Sequence, residues 1–413
     1  MKLSAHAESM LAGECGAARQ WALEHQLQVG RMFDAPDTVA ISQAHMMADP
    51  ESIGLAGVEL VEQFAALAEH ERLVSVPTIT DPRGVDLNYY EPLGQTEAMA
   101  NIERRFITAC RALGIVMTNT CINYQTIAAP VRGDHVAFGD TGVVIYSNSF
   151  CGARSNFEGG PSALAAGLTG LTPRYGLHLD ENRRATRRFV VETQPQELTD
   201  WGVLGAVIGR RSGSYWEVPV IEGIDHVPSS DAAKHMGAAM ASYGSTPLFH
   251  IVGITPECDT LADVEGMNLP VEKISTQDLT SLRGAFGASG EKVDVVVFAA
   301  PQLSLFEMQR VAELCRGRKR HPNTDMLVCT PASVYVDADA AGFIDDIEAF
   351  GARVLQGTCF YQQYAREIGE ANGWTRLLSN STKIVNILGG YGYRPALASM
   401  QDCVDAAVAG RVI

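Results

Sequence analysis

Positive charge is scarce in this sequence: 32 lysines and arginines face 48 aspartates and glutamates across 413 residues, for a net charge of −16. No lysine-rich tract interrupts that balance, so long-range repulsion argues against nucleic acid and anionic membranes as partners. Long apolar runs are lacking too. The longest of β type, Val293 to Pro301, has the length of a buried strand and falls far short of the roughly 18 residues a membrane span needs. The opening Met1-Lys2-Leu3-Ser4-Ala5-His6 contains no apolar signal core, so a cytoplasmic setting is expected. The nine cysteines include no CxxC pair; their odd number and wide scatter argue against a zinc ribbon and a disulfide framework. GxxxxGK[ST], HExxH and GxSxG are absent. Gly284 to Gly290 has its glycines at the wrong spacing for GxGxxG and precedes a strand, so a nucleotide cofactor has no support. There is no repeat, low-complexity tract or long linker.

What is present is an alternation of short apolar blocks with helical periods, the pattern of parallel α/β sheets. The spacing predicts helices over Ala17 to Gln28 and Glu97 to Leu113, the latter capped by Thr96, and a strand over Ile115 to Thr118. Further on it predicts a strand from Val293 to Ala299 and a helix opened by Ser304 and Glu307 as a capping box. A strand over Met326 to Cys329 follows, then a single helix reaching about Phe350, a strand over Arg353 to Leu355, and a last unit whose Ser379-Asn380-Ser381 opens a helix carrying Lys383. Residues 1–200, 201–290 and 291–413 are read as three successive α/β domains. Loops after the carboxyl ends of parallel strands line the ligand crevice, which places Cys121, Ala300, Cys329, Cys359 and Asn380 to Lys383 there.

The densest chemistry lies in Asn148-Ser149-Phe150-Cys151-Gly152-Ala153-Arg154-Ser155-Asn156-Phe157-Glu158-Gly159-Gly160-Pro161. This polar loop ends where Pro161 starts a helix whose free N–H groups suit an anion. The basic stretch Arg183-Arg184-Ala185-Thr186-Arg187-Arg188 is either a local anion attractor or a set of salt-bridged, solvated arginines.

These segments resemble the aconitase X family over nearly the whole chain. The resemblance rests on Ala44-His45, Val76-Pro77-Thr78, Thr120-Cys121, Tyr146-Ser147-Asn148-Ser149 and Gly152 to Asn156. It continues in Glu158 to Leu164, Tyr175 to Leu179, Gly357-Thr358-Cys359 and Asn380-Ser381-Thr382-Lys383. It implies an aconitase-like α/β fold, several parallel-sheet units packed around a central crevice. The implied enzyme is a hydro-lyase with a cysteine-held iron–sulfur cluster that assists departure of a hydroxyl. By position, Cys121 and Cys359 match two cluster ligands, and Asn148, Ser149 and Lys383 match substrate-contacting positions. Thr78 and Arg154 join the expected substrate contacts, although Arg154 and Glu158 are better suited to ordering the loop. Lys383, Ser149 and His45 form the expected catalytic set, with His178 a further acid–base candidate by residue type.

Two departures from the family pattern stand out. Where the family carries Gly-Cys-Pro-His, this chain reads Ala299-Ala300-Pro301-Gln302, and alanine cannot bind iron. A two-iron cluster, a three- or four-iron cluster with a substitute ligand, or no cluster at all would follow. Cys329 is the expected substitute on sheet geometry, with Cys151 the alternative. At Ala48-Asp49 a carboxylate stands where phosphomevalonate-type members have a small turn, which disfavours a phosphorylated substrate. The family's swivelling domain, with its catalytic serine, is not found before Ile413, so a separate small subunit is expected. The substrate is read as a small anionic or zwitterionic hydroxy acid, first of all cis-3-hydroxy-L-proline, with phosphomevalonate second. A binding subunit that has lost its cluster is the reading from another class.

Overall fold

Three parallel sheets and one antiparallel pair organise the computed structural model, which describes residues 1–413. The N-terminal strands are β1 (Thr38–Ala40), β2 (Ala44–Met46), β3 (Thr78–Thr80), β4 (Ala137–Phe138) and β5 (Leu171–Pro173). β1 and β5 pair antiparallel, while β3-β2-β4 form a parallel sheet. The next sheet holds β6 (Arg187–Val191), β7 (Pro219–Glu222), β8 (His250–Ile251) and β9 (Val271–Ile274) in the order β8-β7-β6-β9, so the change of sheet falls before residue 200. The last holds β10 (Val295–Phe298), β11 (Asp325–Thr330), β12 (Arg353–Gln356), β13 (Arg376–Ser379) and β14 (Arg394–Leu397) in the order β12-β11-β10-β13-β14.

Local sequence signals account for most of these elements. Ser304 and Glu307 form the expected reciprocal cap: the Glu307 N–H donates to Ser304 Oγ at 3.3 Å, and the Ser304 N–H to Glu307 Oε2 at 2.9 Å. Valines in β10 are buried on both faces, as a central parallel strand requires. In β11, Leu327 and Cys329 join the large central core, whereas Met326 and Val328 join a second core under the outer helices.

Three expectations are corrected. Ile115 to Thr118 is no strand; it makes one isolated bridge, Ile79 to Val116, because the segment lies at the sheet edge with Val116 exposed and Thr118 Oγ spent on Thr80. The single helix expected after Pro331 is two, Ala332–Ala340 and Phe343–Phe350, divided at Gly342 with φ 76°. The polar segment at Asn148 is not all loop. The helix Thr141–Tyr146 continues through Ser147–Cys151 as a π turn and stops at Gly152 with φ 67°. Such wide turns recur at functional sites because they re-aim side chains.

The central core draws Phe138, Val144, Phe189, Leu204, Val297 and Leu377 from all three parts of the chain. Helices Leu198–Ser212 and Ser230–Gly244 cross it in close contact. A side chain at Gly205 would meet Met236 O at 2.1 Å, so only glycine permits that approach. The first and third sheets meet at their carboxyl ends: Arg83 N–H donates to Gly357 O at 2.9 Å, and Arg83 Nη2 to Gln356 O at 2.7 Å.

Candidate active site

Strand ends from both sheets place one set of polar side chains in the buried space between them. From the first sheet come His45 on β2, Asp81 just after β3, Cys121 on the following loop, and Asp140, which caps the helix Thr141–Tyr146 after β4. From the third come Gln302 after β10, Cys329 at the end of β11, Cys359 and Tyr361 after β12, and Lys383 in the helix after β13. Apart from the partly buried Tyr361, these residues are almost wholly removed from solvent.

Cys121 and Cys359 lie near enough to act on one another, and burial together with Cys359 pushes the Cys121 thiol well up. The Gln302 N–H points at Cys121 Sγ from 3.4 Å. Lys383 Nζ lies 3.4 Å from Asp140 Oδ2 and 5.3 Å from the centre of the Tyr361 ring. Burial opposes the charged form of that lysine, but Asp140, its nearest opposite charge, outweighs it and leaves Lys383 above its ordinary value. Burial likewise pushes Asp140 up, yet Lys383, the Val143 N–H and His45 leave it below the usual carboxylate range. Tyr361 OH donates to the same carboxylate at 3.3 Å.

His45 and Asp81 form a different kind of pair. Their nearest atoms are 3.6 Å apart, but burial holds the imidazole neutral and, with Asp140 and Cys121 nearby, raises the carboxyl well above its usual range. Both shifts favour the uncharged forms of the two groups. His45 Nε2 donates to Thr120 O at 2.7 Å, which leaves Nδ1 as the open lone pair. Asp81 Oδ2 accepts from Gln362 Nε2 at 2.7 Å, and Oδ1 has no partner.

The remaining expected residues are distributed differently. Cys329 faces the same core as the thiol pair, and burial pushes its thiol up to about 12, with Thr358 and Cys121 acting on it. Cys151 is only partly buried on the π turn, and its thiol, raised to about 11 by burial, has no other cysteine acting on it. No three His, Cys, Asp or Glu side chains converge to hold a metal ion as they stand. Asn148 spends both ends of its amide on the fold: Nδ2 donates to Ser155 O and Pro247 O at 2.9 Å, and Oδ1 accepts from Ser155 N at 2.9 Å. Ser149 Oγ accepts from Phe249 N at 3.0 Å. Thr78 Oγ donates to Val76 O at 3.0 Å and sits beneath Gly167. Arg154 pairs with Asp180 near the surface and donates to His178 O. His178 is stacked on His135, their Nδ1 atoms 2.9 Å apart, and burial takes it down to about 3. The four arginines of the basic stretch pair individually with Glu257, Glu265, Glu272 and Glu222, so they are salt-bridged and do not form an open anion attractor.

Asp81, Asp140, Tyr361 and Gln302 escaped the sequence reading. Asp81 directly follows β3 and Asp140 lies two residues beyond β4, so the strand-end rule reaches both. Tyr361 and Gln302 carry no local signal.

Glu158 orders the loop from inside. It is buried, accepts from Thr172 Oγ1 at 2.8 Å, and burial moves its carboxyl from 4.5 to about 7. A carboxyl raised in the folded state stabilises the protein fully below its unfolded pKa, and that contribution disappears as pH rises through the folded one. Between pH 4.5 and 7 this amounts to about 3 kcal/mol. Glu158→Gln, which keeps the oxygen facing Thr172, is expected to flatten the fall in melting temperature across that window. Thermal scans from acid to mildly alkaline pH check this, and parallel curves for the two proteins would refute it.

Buried polar side chains gathered at the carboxyl ends of parallel sheets, with two thiols near a charged lysine, define an α/β enzyme whose acid–base groups are held away from water. Three family models match in order: aconitase X first domain over residues 1–181, second domain over 185–284 and third domain over 293–409. The chain belongs to the aconitase X family. It is 36% identical over 364 residues to the phosphomevalonate dehydratase large subunit of Methanothermobacter thermautotrophicus, covering 88% of each chain. It is 32% identical over 423 residues to the cis-3-hydroxy-L-proline dehydratase of Hypocrea jecorina, covering 99% of this chain and 69% of that one. The crystal structure of Thermococcus kodakaraensis aconitase X in its holo form superposes with a TM-score of 0.88 at 30% identity, over 98% of this chain and all of that one. The protein is accordingly a hydro-lyase, a dehydratase of a hydroxy acid. No helix is long and apolar enough to cross a membrane.

Proposed function

We propose that this chain is the large subunit of a cis-3-hydroxy-L-proline dehydratase, forming 1-pyrroline-2-carboxylate together with a small subunit that bears the catalytic serine. The observation that carries the substrate choice is the charge of the crevice. Lys383 lies among Asp81 and Asp140, and Asp49, whose charge also acts on Asp81, is fully buried with Oδ2 unpartnered. Burial raises Asp49 to about 7, opposed by its cap bonds to Ser52. Asp140, the carboxylate held ionised beside Lys383, opposes a phosphate dianion, whereas a zwitterion brings its own ammonium to the carboxyl groups around it. The phosphomevalonate reading stands second. It is favoured by the 36% identity and by the chain's coverage of most or all of those large subunits, against 69% and 70% of the hydroxyproline enzymes.

Cys121 and Cys359 would hold the iron–sulfur cluster. The two thiols share one core, with a backbone N–H aimed at one sulfur and a lysine nearby; burial opposes their ionisation, so the charge of a bound metal group would supply it. With Ala300 in the family's cysteine position, Cys329 is the proposed third ligand, supported by its placement in the same core as the pair. Once bound, the cluster would supply Lewis-acid assistance to the departing hydroxyl, since hydroxide is a poor leaving group. Lys383 would bind the substrate carboxylate, with Asp140 and Tyr361 keeping its ammonium in place. His45 Nδ1 is the open acceptor for a proton, because Thr120 O fixes the tautomer. Asn148 and Ser149 act through the backbone they hold, since their side-chain atoms are already engaged. Thr78 and Arg154 order the walls in the same way.

The chain co-purified anaerobically with its small subunit is expected to convert cis-3-hydroxy-L-proline to the pyrroline, and the chain alone is expected to be inactive. Faster dehydration of phosphomevalonate by the same complex would overturn the substrate assignment. Dehydration by the isolated chain would remove the need for a partner serine.

A further inference from the structure

Gln302 is fully buried, and every polar atom of its side chain is engaged. Its Nε2 donates to Asn119 O at 3.2 Å and to Thr358 O at 3.0 Å. Its Oε1 accepts from the Cys121 N–H at 3.1 Å. One amide therefore bridges the two loops that present Cys121 and Cys359, touching the residue before Cys359 and both the second residue before Cys121 and Cys121 itself. Its backbone N–H is the group that faces Cys121 Sγ.

The residue is anchored from a third direction. Lys234, wholly buried in the helix Ser230–Gly244, donates from Nζ to Gln302 O at 3.1 Å. It also pairs with Glu307 and with Asp231, the latter at 3.3 Å, while His235 holds the other Glu307 oxygen at 2.8 Å. Burial would raise Glu307, but Lys234 and His235 take it down to about 2. This charge network belongs to no step of the dehydration. It reaches the crevice through the carbonyl of Gln302, two residues beyond Ala300, whose φ of 52° is unusual for alanine.

We propose that Gln302 is a positioning residue that sets the spacing of the Cys121–Cys359 pair, and that the Lys234–Glu307 network holds Gln302 for that purpose. The inference rests on the reading that this thiol pair grips the iron–sulfur cluster. Hydrogen bonds to ligand sulfurs and to the loops carrying them govern how tightly a metal group is held, and losing such an outer partner typically weakens binding about 10–100-fold. The geometry here joins both ligand loops through one side chain, so its loss acts on the pair as a unit.

The test compares the wild-type complex with Gln302→Glu, which keeps the shape and the acceptor for Cys121 but loses the two-handed amide donor, and with Gln302→Ala. Phe350→Leu, a packing change in the outer core, serves as a control for general destabilisation. Each protein is loaded anaerobically with ferrous iron and sulfide. Iron content, visible absorbance and the rate of bleaching by a chelator are then recorded beside the melting temperature. The expected result is bleaching about 10–100-fold faster in whichever Gln302 variant folds, with Phe350→Leu bleaching like wild type at a comparably lowered melting temperature. Bleaching of a folded Gln302 variant at the wild-type rate overturns the inference, as does equally fast bleaching of Phe350→Leu. If neither Gln302 variant folds while Phe350→Leu does, Gln302 is a folding residue and the positioning role is rejected. A wild-type complex that takes up no iron overturns the thiol-pair reading instead.

Discussion

Cys121→Ser and Cys359→Ser, made singly, are each expected to give a folded, colourless protein whose turnover with the small subunit is lowered at least about 1000-fold. The magnitude follows from the several kcal/mol of charge stabilisation that a bound cation lends a departing hydroxyl, each ~1.4 kcal/mol being tenfold in rate. Both sulfurs are buried and adjacent, and serine is nearly their size, so the fold should tolerate the exchange. Cys329→Ser distinguishes the arrangements left open by Ala300. If Cys329 is the third ligand, its variant is also colourless; if it is a packing thiol, colour and rate survive. Cys151→Ser is expected to leave both unchanged. Iron analysis and absorbance of the purified complexes check all four, and a brown, active Cys121→Ser protein would remove the thiol pair from the site.

Lys383→Met is expected to abolish detectable turnover and to cost about 3–5 kcal/mol of stability, the usual penalty for leaving a buried charge without its partner. The uncompensated group is Asp140, which would retain only Tyr361 and the N–H groups of Gly142 and Val143. Asp140→Asn alone leaves Lys383 beside the thiols without a carboxylate and should be costly for the same reason. The double variant Lys383→Met/Asp140→Asn separates the two roles. Removing both charges should restore most of the lost stability, because the two residues are coupled, while activity stays absent for want of the ammonium. Denaturant melts and turnover on the four proteins measure this directly. Recovered activity in the double variant would show that Lys383 serves packing alone.

Particular elements show where a local rule was enough. The Ser304–Glu307 cap, the valines of β10 and the helix start at Pro161 each depend on residues a few positions apart, and each forms as the spacing indicates. The strand-end rule places Cys329, Cys359 and Lys383 around one crevice, and Cys121 reaches it although Ile115 to Thr118 forms no strand. It could not tell which strand ends face one another. The helix after Pro331 breaks at a glycine that the apolar period ran across, and the polar segment at Asn148 folds into a π turn because its amide finds Pro247, 99 residues away.

Short-range spacing of apolar, capping and turn residues decided the α/β class and most strand ends, since those features depend on neighbours in the chain, while the candidate thiols came from the resemblance to aconitase X. The partnerships were decided by tertiary packing alone. Lys383 meets Asp140 across 243 positions, Cys121 meets Gln302 across 181, and Asp81 meets Gln362 across 281. Which groups are charged follows from those meetings, because burial and the nearest opposite charge, rather than residue type, set the protonation of an enclosed side chain.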